Sequence, residues 1–378
     1  MKLFTKRLRA VAGGAALILS AACGDDPIGP RSLADPQATT AQLAALDDLF
    51  DVEVLNSFTA LSGDISPAAA PQVGALRAAV RASNPLNRAG ALRPYSQSIE
   101  QAQVLRQLVP ALAEAAIIPP EYLGKTFEWN LTTHQYDLTA RTGAPSDGVR
   151  YILYAIDPLT GFPADPLVEV GLVDLIDQST SATSKLLIRV AGVGGTPVYV
   201  EYTITVSATL VSGRIAAAGY VTNGAGAPDT LRFAGVVTVS GTQTSATVTQ
   251  DVSFDVNSRD IYIRNVERVT LTETTITLRV NFRFEHGDEV VTLAALFDVD
   301  QVSQTATGRV TVKVNGGLFA TCSAEVSASS YTVTCEGADA DGLNADEEVA
   351  LQAIADAVGT VTEIFLGLFG PVITVSAP

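Results

Sequence analysis

Histidine is almost missing from this chain. The 378 residues include two, His134 and His286, and both fall in segments with turn character. Neither has a Cys, Asp or His at zinc-ligand spacing, so no zinc centre and no histidine base is expected. There is no Gly-x-Ser-x-Gly elbow, and Gly192-Val193-Gly194-Gly195 lacks the Lys and Ser/Thr of a phosphate loop. Aromatic residues make up 6% of the chain, with Trp129 the only tryptophan. The 40 acids allow many carboxylate pairs of the glycosidase kind, but sugar clefts need rings to stack on sugar faces, so lectin and glycosidase readings weaken together. The chain is therefore expected not to be an enzyme. Basic residues are also scarce, 24 against 40 acidic ones. Such a surface repels nucleic acid and anionic headgroups, which excludes both as partners. Long apolar runs are lacking too: Val349 to Phe369 is broken by Asp356, Thr360, Thr362 and Glu363.

Cysteine is limited to three positions. Cys322 and Cys335 lie in one predicted hairpin. If Val326 faces Tyr331 across Ser327-Ala328-Ser329-Ser330, counting outward sets Cys322 opposite Cys335, within disulfide reach. The pair suits a bridge best at a non-hydrogen-bonded site, and the turn's closure decides which site it is.

The third, Cys23, follows a basic start (Lys2, Lys6, Arg7, Arg9), a short apolar stretch from Val11 to Leu19, and Ser20-Ala21-Ala22. The apolar stretch is too short to span a bilayer. The pattern resembles the signal peptide and lipobox of bacterial lipoproteins, with Ser20 where a leucine is usual and Leu19 one place early. The resemblance implies cleavage after residue 22 and acylation of Cys23 by chains such as palmitate. Gly24, where sorting rules place an aspartate for inner-membrane retention, implies the outer membrane. Cleavage removes four of the 24 basic residues, leaving 20 against 40 acids and a formal charge of −20.

The rest divides by period. Residues 1–22 read as the signal peptide, and 23–36 as the lipidated cysteine with a flexible tether rich in Gly, Asp and Pro. Residues 37–118 read as a helical segment packing on a sheet. Leu43, Leu46, Phe50, Val54, Phe58 and Leu61 form one stripe; Val73, Leu76 and Val80 a second; Ile99, Ala102, Leu105, Leu108 and Val109 a third, bent or broken at Pro110. Residues 119–378 read as a β-rich body. Ile276, Leu278, Val280, Phe282 and Phe284 alternate with Thr277, Arg279, Asn281 and Arg283, and similar rows recur between tight turns. About a dozen strands are expected, as a long antiparallel meander forming a curved sheet, half-barrel or sandwich. The mainly β (α+β) body ends in an amphipathic helix over 344–369, capped by Asn344 with Glu347 and stopped by Gly370-Pro371. Val372 to Val375 would add an edge strand.

One acidic stretch is a candidate site. Aligned on Gly342, residues 337–348 resemble part of the EF-hand calcium loop, with Asp339, Asp341 and Glu348 at ligand positions. Gly337 stands where the first ligand belongs. The same acids also suit a helix entrance, where they complement the dipole. The aromatic group Phe127, Trp129, Tyr136, Tyr151 and Tyr154 is read as packing over a sheet end, with a recognition surface as the alternative.

Two functional classes follow. The first is a non-catalytic, lipid-anchored envelope protein that meets a protein partner. The second is a periplasmic carrier holding lipid or another hydrophobic molecule between sheet and helices. The element order is loosely similar to the half-barrel lipoprotein carriers of the bacterial periplasm, a likeness that covers no motif. Strand lengths also fit a transmembrane barrel, against which stand the sparse aromatics, the charge and the terminal helix.

Overall fold

The computed structural model describes residues 29–44, 53–64, 84–114, 118–180, 183–209, 212–224, 230–242 and 244–368. The chain is mainly β, and its strands join in a single 15-stranded open sheet. In chain order they are β1 (Lys125–Asn130), β2 (Gln135–Thr139), β3 (Gly148–Tyr154), β4 (Glu169–Asp177) and β5 (Ser184–Gly192). Then come β6 (Val198–Thr209), β7 (Ser212–Thr222), β8 (Thr230–Gly241), β9 (Ser245–Val256) and β10 (Ile261–Thr272). The last five are β11 (Thr275–His286), β12 (Glu289–Asp300), β13 (Thr305–Val314), β14 (Gly317–Val326) and β15 (Tyr331–Gly337). From β3 to β15 each strand pairs antiparallel with its chain neighbour, as the tight turns predict. The expected pure meander needs one correction. β1 lies parallel to β3, so the β1–β2 hairpin folds outward and β2 becomes the edge. The two edges, β2 and β15, do not meet, so the sheet is not a closed barrel.

Strict alternation sets which side chains face inward. On β11 and β12 the buried residues are Ile276, Leu278, Val280, Phe282, Phe284, Val291, Leu293, Ala295, Phe297 and Val299, all from one face. Among the described residues, that face is covered by four helices: α1 (Pro36–Ala44), α2 (Glu53–Asp64), α3 (Arg93–Glu114) and α4 (Ala345–Gly367). Helix α3 crosses β6 to β11, α2 sits on β3 to β5, and α4 packs on α3, α1, β9 and β10. The predicted stripe from Leu43 to Leu61 is divided between α1 and α2, with Leu46 and Phe50 outside the described residues. The second stripe, Val73 to Val80, and the edge strand at 372–375 lie outside them as well. Pro110 does not break α3, which continues to Glu114.

Two glycines let aromatic rings meet the sheet backbone. A Cβ on Gly235 of β8 would stand 2.3 Å from the ring of Phe365, and one on Gly308 of β13 would stand 2.2 Å from the ring of Phe297. Phe365 is thereby the knob that seats α4. Phe297 lies between Gly308 and Tyr95, its centroid 4.6 Å from the Tyr95 ring. The end of α4 is tied down where the Tyr202 hydroxyl donates to the Leu368 carbonyl at 2.8 Å. Its start matches expectation: Asn344 N–H donates to Glu347 Oε2 and Glu347 N–H donates to Asn344 Oδ1, a reciprocal capping box. Asn344→Ala is expected to lower stability by about 1 kcal/mol in denaturant unfolding.

Candidate binding surfaces

Cys23, on which the lipidation reading rests, lies outside the described residues, as does the whole signal segment 1–22. The segment read as tether is different. Its end is docked on the body: Arg31 N–H donates to the Leu318 carbonyl, Ser32 Oγ to Asp339 Oδ2, and Ala34 N–H to Glu289 Oε2. Leu33 is buried in the main core. Composition favoured flexibility there, but one apolar residue and three polar contacts are enough to seat the strand-like strap before α1.

The disulfide Cys322–Cys335 is formed, with Cys322 and Cys335 directly opposed as counted. Ser327 N–H donates to the Ser330 carbonyl, which makes 327/330 a hydrogen-bonded pair. Alternation outward then makes 322/335 a non-hydrogen-bonded pair, where side chains approach most closely. Removing the bridge in Cys322→Ser/Cys335→Ser is expected to cost about 2–3 kcal/mol, read as a shift of unfolding midpoint.

The calcium candidates do not gather. Asp339 receives the Ser32 hydroxyl, and Glu347, not Glu348, closes the cap. Among the described residues no group of three or more His, Cys, Asp or Glu side chains could hold a metal ion. The histidines also stay apart. His134 stands edge-on to Trp129 at a positive φ in the β1–β2 turn, and His286 ends β11.

Two features remain as surfaces. The first is a small second core on the face opposite the helices. On β3, Tyr151 and Leu153 point to the helices, so Ile152 and Tyr154 point away; Leu172 and Ala191 join them with Trp129. The loop between β3 and β4 folds over this cluster, placing the Phe162 ring against Trp129 at 6.0 Å. At this end of the sheet Leu138 of β2, Leu159, Phe162 and Val168 of the β3–β4 loop, and Val193 after β5 are exposed, Leu159 by 93%. Trp129 is thus buried with an exposed ring, Phe162, against it. A partly buried ion pair supports its base, with Arg150 Nε 2.7 Å and Nη2 2.8 Å from the Asp174 carboxylate.

The second surface is a cleft of about 300 Å3 at the other wing. The short turn Pro85–Arg88 packs on β13 and β14, and the cleft lies where residues 91–95 and α4 meet the inner face of β12 to β15. Tyr95, Val310, Val333, Leu351 and the disulfide wall this cleft, and Glu348 stands at it as the one charged group. A smaller cleft of about 230 Å3 runs between α1, α4 and β8–β9. No described helix is long and apolar enough to cross a membrane.

Comparison with family models, with curated proteins and with solved structures finds no match for this chain.

Proposed function

We propose that this chain is a non-catalytic protein of the bacterial cell envelope, held at the outer membrane by acyl chains on Cys23, whose body binds a protein partner. The supporting observation is the group of exposed apolar side chains at the β2 end of the sheet. Leu138, Leu159, Phe162, Val168 and Val193 are all exposed there, and Phe162 stacks on Trp129. Exposed apolar surface of this kind marks interaction sites. A photo-crosslinking residue at Leu159 is expected to give a discrete protein adduct in intact cells, abolished by Phe162→Glu. The same probe at Val302, 75% exposed but between the distant strands β12 and β13, should give none. Identical adducts from both positions would remove the reading. Attachment is tested separately: Cys23→Ser is expected to shift the protein from the membrane fraction to the soluble periplasm, and continued membrane fractionation would overturn it.

The cleft at β12–β15 favours a second reading, a hydrophobic small molecule bound between sheet and helices. Its volume is at the lower end for small-ligand sites, and its walls are mainly apolar. Native mass spectrometry of protein extracted from membranes should then show a bound adduct that Val333→Trp, which fills the cleft, displaces.

A further inference from the structure

Along β10 the inward row reads Ile261, Ile263, Asn265, Glu267, Val269 and Leu271, so two polar residues stand where the apolar row should continue. Both are essentially inaccessible, Asn265 at 0% and Glu267 at 3%. On the paired strand β9, Gln250 faces Glu267 and is likewise buried. The helices bring complementary groups. Thr362 of α4 places Oγ1 2.8 Å from Glu267 Oε1, Asn265 Nδ2 is 2.7 Å from the same oxygen, and Ser98 of α3 bonds the carboxyl as well.

Among the described residues no cation answers Glu267. Helix α3 presents Ser98 and Gln101, α4 presents Thr362 and the Val358 carbonyl, β9 presents Gln250, and β11 presents Val280. The other charged residues of β9 and β10, Asp251, Asp255, Arg264 and Arg268, are on the solvent face, where Asp251 pairs with Arg264. An isolated carboxylate in such surroundings is costly, and burial pushes the Glu267 carboxyl above its ordinary range. The hydroxyls around it have other acceptors: Thr362 Oγ1 is 3.1 Å from the Val358 carbonyl, and Ser98 Oγ is 3.3 Å from the Pro94 carbonyl. With those carbonyls as acceptors, Ser98 Oγ is free to receive a proton from a Glu267 O–H.

Two further polar atoms converge beside it. Gln250 Nε2 and Gln101 Oε1 are buried with no hydrogen-bond partner, one a donor and the other an acceptor. Both side chains line a cavity of about 10 Å3, bounded also by Ser98, Glu267, Leu105 and Val248. That is room for one water, which needs two to four polar partners to be held.

We infer that Glu267 is held as a neutral carboxylic acid beside one buried water that bridges Gln250 and Gln101, and that the seating of α3 and α4 on the sheet loosens as this acid ionises. The water accepts from Gln250 Nε2 and donates to Gln101 Oε1. The sign of the pH effect follows from linkage. Below the ordinary carboxyl range the folded and unfolded chains both carry the proton, and the contribution is fully present. As pH rises through that range the unfolded chain ionises while the folded chain stays neutral, so stability falls until the folded group also ionises.

The test compares the full chain with Glu267→Gln, an isosteric neutral side chain. Infrared spectra at neutral pH should contain a protonated-carboxyl stretch that the substitution removes. Relative to Glu267→Gln, the wild-type melting temperature should fall with rising pH, by roughly 2–4 °C per unit. Amide exchange in α3 and α4 should accelerate with pH more than in β11 and β12, a readout that stands if the variant does not accumulate. A high-resolution crystal structure should show a water oxygen within about 3 Å of both amide atoms. A carboxyl band absent at neutral pH or unchanged by the substitution, or parallel melting profiles, would overturn the neutral acid. Gln101 and Gln250 bonded directly to each other would overturn the water.

Discussion

Phe365→Ala is expected to destabilise the protein by about 3–5 kcal/mol, the range for deleting a fully buried phenylalanine. The ring is inaccessible to solvent and lies against the backbone of Gly235. No side chain of β8 stands beneath it to move in, so the vacated space stays a cavity. The converse change acts on the same contact. Gly235→Ala puts a methyl group 2.3 Å from two ring carbons of Phe365, with β8 fixed by full pairing on both sides. It should lift the end of α4 and weaken the Tyr202–Leu368 hydrogen bond. Combining Gly235→Ala with Phe365→Leu should recover part of the loss. A coupling of about 0.5–3 kcal/mol in a double-mutant cycle is the expected result. Strict additivity would mean that the ring and the glycine do not share one contact.

Asp174→Ala is expected to cost about 2–3 kcal/mol, somewhat below the loss for a fully buried pair. The two side chains keep 10% and 22% of their exposure, so water screens part of the attraction. The loss arises mainly because Arg150 is left partly buried, on the same face of β3 as Ile152 of the second core, without its carboxylate. Replacing both partners, Arg150→Met with Asp174→Leu, should restore most of the stability, since a buried ion pair often does little better than well-packed apolar side chains. Urea unfolding of the three variants separates the outcomes. A double variant as unstable as Asp174→Ala alone would show that the pair fixes the β3–β4 register beyond its charge.

The physics that made parts of this fold legible also explains what stayed hidden. Strands β11 and β12 could be placed residue by residue because apolar and polar positions alternate without interruption, and a register slip would turn every phenylalanine to water. The same parity located Cys322 opposite Cys335, and the Asn344–Glu347 spacing located the start of α4. The parallel placement of β1 beside β3 was not legible. Residues 131–134 and 140–147 connect β1 to β2 and β2 to β3, and local composition does not say which neighbour a strand chooses. Phe127, Trp129, Tyr151 and Tyr154 were grouped correctly as aromatics. Tyr151 and Tyr154 fall on opposite faces by alternation along β3, whereas the Phe162 ring laid on Trp129 by the β3–β4 loop is a tertiary outcome. The buried acid did leave a signal. Asn265 and Glu267 interrupt an otherwise apolar inward row, and Gln250 does the same between Val248 and Val252. Polar residues at core parity on adjacent strands indicate a pocket of hydrogen bonds inside the layer, and they escape notice when only the apolar members are counted.

The docked strap has a mechanical consequence. If acyl chains on Cys23 hold the chain, free length ends at Arg31, where the backbone bonds to Leu318 on β14. Eight residues reach at most roughly 28 Å when fully extended. The body then hangs from one wing instead of trailing on a longer leash. From β14 to β3 there are eleven strand steps, roughly 50 Å measured along the sheet at about 4.8 Å per step. The exposed apolar side chains near Trp129 are then eleven strand positions removed from the strand at which the chain is held.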